Sequence, residues 1–189
     1  MAAYFPMFVD LRGKKVIIVG SHEKGRDKAE KLRVFGADII FRDTPVSDVH
    51  EIIATSPSAV VVADTSLVDV QRLYEECVSA HIPINTVDVP ETCSFIFPSM
   101  TVKRSLTVAV STDGVCPAAG MWVKKTVEDV LPTETDDIID WLAEIRRELK
   151  KRFSAETRRL IIRNLTAEAF ESNRPLTTDE TRFIIEKFV

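Results

Sequence analysis

The chain has 189 residues, a formal net charge of −4, 45% hydrophobic and 29% charged residues, and only six glycines. That length suits one domain, or one domain with a small appendage, around a sizeable core, and the composition excludes collagen-like and disordered classes. The acidic balance argues against a nucleic-acid partner, which clustered positive charge would mark, and favours a small-molecule ligand.

Residues 14–20 form a β-branched run ending in Gly20, the pattern of a strand buried on both faces. A helix is expected over 23–35, where Ala29, Leu32 and Phe35 recur at spacings of three and Gly36 supplies a stop. A second strand follows at 38–42, a brief helix at 46–54, and an almost unbroken apolar strand at 59–63. A helix over 66–80 then leads to a fourth strand at 83–87. Strands alternating with helices predict βαβ units, a parallel sheet and helices on both faces.

After Asp88 the pattern changes. Strands are expected at 94–98 and 106–111, joined by a turn over 101–105, and then helices at 122–130, 136–153, 155–170 and 178–188. The fold class is α/β to about residue 112, followed by an all-helical part. Cys77, Cys93 and Cys116 form no C-x-x-C pair and leave one thiol over in any pairing, which suits a reducing compartment. No apolar run approaches the roughly 18 residues of a membrane span, and the first six residues lack the basic start of a signal peptide. A cytoplasmic location without membrane contact is expected.

A strand that ends at Gly20 and runs straight into a helix points backbone N–H groups and the positive helix end at an anion, such as a dinucleotide pyrophosphate. The run Gly20-Ser21-His22-Glu23-Lys24-Gly25 follows G-x-G-x-x-G with His22 at the middle glycine. The imidazole must point away from the phosphates or touch them; the run also reads as a tight turn that binds nothing. Asp43, about 20 residues further on, is a ribose ligand or a solvated loop charge. Arg42 beside it equally suits a 2′-phosphate, which leaves NAD and NADP open.

Asn85-Thr86-Val87-Asp88 puts a carboxylate at the carboxyl end of a buried strand. There it serves as a general base, holds a cationic substrate nitrogen, or caps the turn before Pro90. Ser111-Thr112-Asp113-Gly114 is a second candidate ligand loop or an ordinary turn. His50 and His81 read as surface residues and Cys77 as core. Cys93 and Cys116 lack two further ligands for a soft metal. Arg146, Arg147, Lys150, Lys151 and Arg152 read as a solvated helix face or a grip for a polycarboxylate. The apolar stripe around Trp141 suits a partner face or its own domain equally.

In order along the chain stand Phe5-Pro6-Met7-Phe8-Val9-Asp10-Leu11, Gly13-Lys14-Lys15-Val16-Ile17-Ile18-Val19-Gly20, Gly36-Ala37, Asn85-Thr86-Val87-Asp88, Phe95-Ile96-Phe97-Pro98 and Val108-Ala109-Val110-Ser111-Thr112-Asp113-Gly114. Together they resemble precorrin-2 dehydrogenase, the siroheme synthase N-terminal family. The resemblance implies a Rossmann-like NAD-binding domain over 1–112, a dimerisation region over 113–150 and a helical tail over 151–189, assembled as a homodimer. It implies oxidation of precorrin-2, a tetrapyrrole, to sirohydrochlorin with NAD as hydride acceptor; some members also insert ferrous iron as a ferrochelatase. Asp88 falls on the family's acid/base position. Gly20, Ser21, His22, Glu23 and Lys24, with Asp43, Thr44 and Pro45, fall on cofactor positions, and Asn85, Ser111 and Thr112 on the substrate side; no metal site is assigned. Where relatives carry G-G-G and A-T-D-D, this chain has Gly20-Ser21-His22 and Ala63-Asp64-Thr65-Ser66. A chelatase that does without NAD, and a non-catalytic tetrapyrrole- or nucleotide-binding module, are the alternatives.

Overall fold

The computed structural model describes residues 4–188, in two compact units that divide between Phe97 and Pro98. In the first unit the β-branched runs become strands and the charged, Ala/Leu-spaced stretches become helices. The elements are β1 (Lys15–Val19), α1 (His22–Arg33), β2 (Asp38–Arg42), α2 (His50–Ile53), β3 (Ala59–Val62), α3 (Val70–Ser79) and β4 (Ile84–Thr86). The strands are all parallel, in the order β2-β1-β3-β4.

Alternate strand residues feed two cores, because successive side chains leave opposite faces of a sheet. Ile17, Val19, Val60 and Val62 pack with Val49 and Ile52 at α2 and with Leu73 and Cys77 of α3. Val16, Ile18, Ala59 and Val61 pack with Ala29 and Leu32 of α1, backed by Phe95 and Phe97. Both faces being covered explains why β1 and β3 are unbroken apolar runs rather than alternating ones. Since α1 covers one face while α2 and α3 cover the other, the strand order reverses between β1 and β3. That gap is the topological switch point, where open α/β sheets bind ligands beyond their strand ends.

Several local expectations change. The helix expected over 66–80 breaks into a short 3₁₀ turn, Thr65–Leu67, and α3, with Val68 extended between them. Val68 is buried and bridges Val46 in parallel, and the same bridge removes Val46 from the helix expected at 46–54. Residues 94–98 form no strand: Phe95 and Phe97 turn their rings onto the α1-side core. The strand lies further on, in part of the stretch read as a turn.

That strand, β5 (Ser99–Val102), pairs antiparallel with β6 (Thr107–Val110) in the second unit, followed by α4 (Pro117–Val130), α5 (Thr135–Leu149), α6 (Ala155–Glu171) and α7 (Thr178–Glu186). Pro117 at the first turn starts α4 earlier than Trp122, as its fixed φ and missing N–H allow. Thr101 Oγ1 of β5 donates to Glu128 Oε1 of α4 at 2.8 Å. The β5–β6 turn is held by α5: Asp136 accepts from the Arg104 and Ser105 N–H groups, and Asp140 from the Ser105 hydroxyl. Ile138, Leu149, Ile161, Leu165, Ala169 and Ile184 make one core from α5, α6 and α7, with Trp141, Leu142 and Ile145 against it. The stripe around Trp141 therefore packs within its own unit. The boundaries expected at 112 and 150 both fall inside this unit. Among the described residues no helix is long and apolar enough to cross a membrane.

Candidate cofactor and substrate site

The first cluster forms where β1 meets α1. Gly20 has φ +146°, and a Cβ there would stand 3.2 Å from Ala63 Cβ and 3.3 Å from the Asp64 nitrogen. Glycine is required by conformation and by the close approach of the β3 end. Gly25 plays the packing role of the last glycine in the motif: a Cβ would lie 2.7 Å from both Ile18 Cγ2 and Phe41 Cε1. Ser21 caps α1, its Oγ accepting from the Lys24 N–H at 3.3 Å. The N–H groups of Ser21, His22 and Glu23 have no acceptor among the described residues. This strand-end cradle of free donors fits the pyrophosphate of a dinucleotide.

His22 is exposed, and its ring lies 4.0 Å from that of Phe41, tilted by 32°. The imidazole rests on Phe41, near the end of β2. Gly20 N donates to the Arg42 carbonyl at 2.8 Å, which brings the loop of Asp43, Thr44 and Pro45 beside the turn. All three of those residues are exposed.

Lys24 reaches across the switch point. Its Nζ lies 2.6 Å from Asp64 Oδ2, just past β3, while Asp64 Oδ1 accepts from the Ser66 N–H at 3.2 Å and its hydroxyl at 2.7 Å. The lysine, and then the Ser66 hydroxyl, hold the Asp64 carboxyl down to about 2. In the sequence Asp64 stands out only as part of Ala63-Asp64-Thr65-Ser66, where relatives carry A-T-D-D. The signal that finds it is the one that found Asp88, a carboxylate just beyond a buried strand on the ligand-binding edge.

Asp88 lies beyond β4 on that same edge. It is exposed and holds φ +60°, a left-handed conformation that Asp tolerates better than most residues. No group among the described residues hydrogen-bonds its carboxylate, and the 3₁₀ turn Pro90–Thr92 has no side-chain cap. The turn-capping reading therefore lacks the bond it needs. The loop is shaped from behind. Cys93 Sγ accepts from the Thr86 N–H at 3.2 Å, with the Thr86 and Val89 carbonyls at 3.3 and 3.4 Å. Burial pushes this thiol up. Asn85 is buried, and its Nδ2 donates to the Phe95 carbonyl at 3.0 Å. Its amide ties the end of β4 to the Cys93–Phe95 segment that follows the loop.

Ser111 and Thr112 belong to the second unit, after β6. Ser111 Oγ accepts from the Asp113 N–H at 3.0 Å, and Thr112 Oγ1 accepts from the Cys116 N–H at 3.2 Å, ahead of α4. Both hydroxyls shape the turn; Ser111 Oγ also donates to Asp113 Oδ1 at 3.5 Å, while the Thr112 hydroxyl keeps a proton to donate. Cys77 is fully buried and pushed up to about 11 by that burial, while His50 and His81 are exposed. Among the described residues no three His, Cys, Asp or Glu side chains gather as a metal site.

A parallel sheet with a strand–glycine–helix cradle at its switch point defines a Rossmann-like NAD(P)-binding protein. The family model described as "Putative NAD(P)-binding" matches residues 7–99. A siroheme synthase of Methylobacillus flagellatus is 29% identical over 173 residues, covering 82% of this chain and 37% of that protein. One from Sodalis glossinidius is 30% identical over 155 residues, covering 69% and 31%. The solved structure titled "SirC, precorrin-2 dehydrogenase" shares the fold, with a TM-score of 0.61 over 98% of both chains at 16% identity. The chain is thus similar in sequence to siroheme synthases and carries a match to a putative NAD(P)-binding family over just under half of its length. It spans little more than a third of the length of the first siroheme synthases it matches.

Proposed function

We propose that the protein oxidises precorrin-2 to sirohydrochlorin with NAD. The carrying observation is the Asp88 carboxylate, exposed and without a hydrogen-bond partner among the described residues, on the sheet edge that also bears the Gly20 cradle. With neighbouring strands about 4.8 Å apart, the ends of β1 and β4 stand about 10 Å from each other, a span suited to one ligand reaching from cradle to carboxylate. The oxidation removes a hydride and a proton from the tetrapyrrole. A bound nicotinamide supplies the hydride acceptor, and Asp88 takes the proton.

Gly20, Ser21, His22, Glu23 and Lys24 form the cofactor turn, and Asp43, Thr44 and Pro45 the ribose side. Asp43 favours NAD, because a carboxylate there repels a 2′-phosphate. Asn85 acts by tying the end of β4 to the segment that follows the Asp88 loop; Ser111 and Thr112 are assigned to substrate by their motif. Ferrous iron is a second substrate in this reading, since insertion strips pyrrole N–H protons that the same carboxylate accepts. The three cysteines are free thiols, which supports the cytoplasm as its location.

The test follows the absorbance change of precorrin-2 with NAD in wild type and Asp88→Asn, the asparagine tolerating φ +60°. A loss of about 100-fold or more in kcat is expected, with an unchanged circular-dichroism melt. Undiminished turnover would remove Asp88 from the mechanism.

A further inference from the structure

Resting on the NAD reading above, we propose that Asp64 is an affinity-determining residue: it holds Lys24 across the β1–β3 switch point, and a dinucleotide pyrophosphate must take the lysine from it. The two partners of this bond are unequal. Asp64 is anchored by two further hydrogen bonds from Ser66, and its side chain is 15% exposed. Lys24 is 55% exposed, on a flexible four-carbon stem, and Asp64 is its only charged partner among the described residues. When an anion arrives at the free N–H groups of Ser21, His22 and Glu23, the lysine is the member able to move.

The local charge explains why the pair matters. Lys24 is neutralised by Asp64, and Glu23 in the first turn adds an uncompensated negative charge. Only the helix end and its free N–H groups then attract a pyrophosphate. Release of Lys24 adds a positive charge at the cradle. Asp64 thus lowers affinity for every anion at this position and leaves the adenosine-side contacts untouched.

The experiment is a double-mutant cycle read by NADH binding in calorimetry, with wild type, Asp64→Asn, Lys24→Met and the double variant. Asparagine keeps an oxygen for the Ser66 bonds, and thermal melts by circular dichroism check each fold. Working at about 0.5 M salt suppresses through-space repulsion, so competition for the lysine remains. Asp64→Asn is expected to tighten NADH binding about fivefold, and Lys24→Met to weaken it by a similar factor. In the Lys24→Met background the Asp64 change should give no gain. An unchanged or weaker affinity in Asp64→Asn overturns the proposal, as does an equal gain without the lysine. Failure of all four proteins to bind NADH or NADPH would instead overturn the cofactor reading, and this inference with it.

Discussion

At position 22 the imidazole lies 4.0 Å from the Phe41 ring, and Phe41 in turn fills the space where a Cβ on Gly25 would sit 2.7 Å away. One aromatic ring thus fixes two features of the turn: it demands glycine at 25 and gives the histidine at 22 somewhere to lie. Because the imidazole rests on β2, its removal does not open the pyrophosphate position. His22→Gly should therefore leave NADH affinity within about twofold. It should lower stability by about 1–2 kcal/mol, through the lost ring contact and the added backbone freedom. Urea denaturation and NADH titration measure the two quantities, and a tenfold gain in affinity would show instead that the imidazole crowds the ligand.

Among the elements, α7 carries the clearest local code. Thr177 and Glu180 form a reciprocal capping box, and Arg174 pairs with Glu180 at 2.8 Å. Replacing Thr177 by Ala should cost about 1 kcal/mol. The Arg174 guanidinium, and then Thr177, hold the Glu180 carboxyl down to about 2. A carboxyl depressed in the folded state stabilises fully above its unfolded value of about 4.3, and this contribution is lost as pH falls through about 2. Between pH 6 and pH 2.5 wild type should lose more denaturation midpoint than Glu180→Gln; parallel curves for the two would show that the box does not titrate. Such caps lie within a few residues and are legible in sequence, as are β1, β3 and the Gly20 turn, where buried strands and backbone conformation dictate residue type. The break at Val68 was not legible, because it depends on a bridge to Val46. Residues 94–98 carry strand-like apolar residues that serve as core plugs. For the same reason Asp88 was visible at the end of a strand, whereas the Lys24–Asp64 bond joins residues 40 apart in the chain and shows only once β1 and β3 are adjacent.

For the molecule as a whole, the distribution of apolar surface bears on assembly. The stripe around Trp141 is taken up by α6 and α7, so it is not the face on which a partner would dock. On α4 Trp122 is 69% exposed and Val130 74%, and both share a helix face with the exposed Ala118, Ala119, Val123 and Thr126. These positions recur at three and four residues, which makes a continuous stripe, the kind of exposed apolar surface on which a partner can dock. The opposite side of α4 is engaged with β5 through Glu128 and buried Gly120, so the stripe is free of structural duty in its own unit. The protein is accordingly expected to be a homodimer with this face at its interface. Light scattering should give twice the chain mass for wild type and a single chain mass for Trp122→Glu. Because Trp122 is exposed, the substitution should leave the thermal melt of each subunit intact, so a dimer that persists in the variant would move the interface off α4, and a monomeric wild type would remove the homodimer itself.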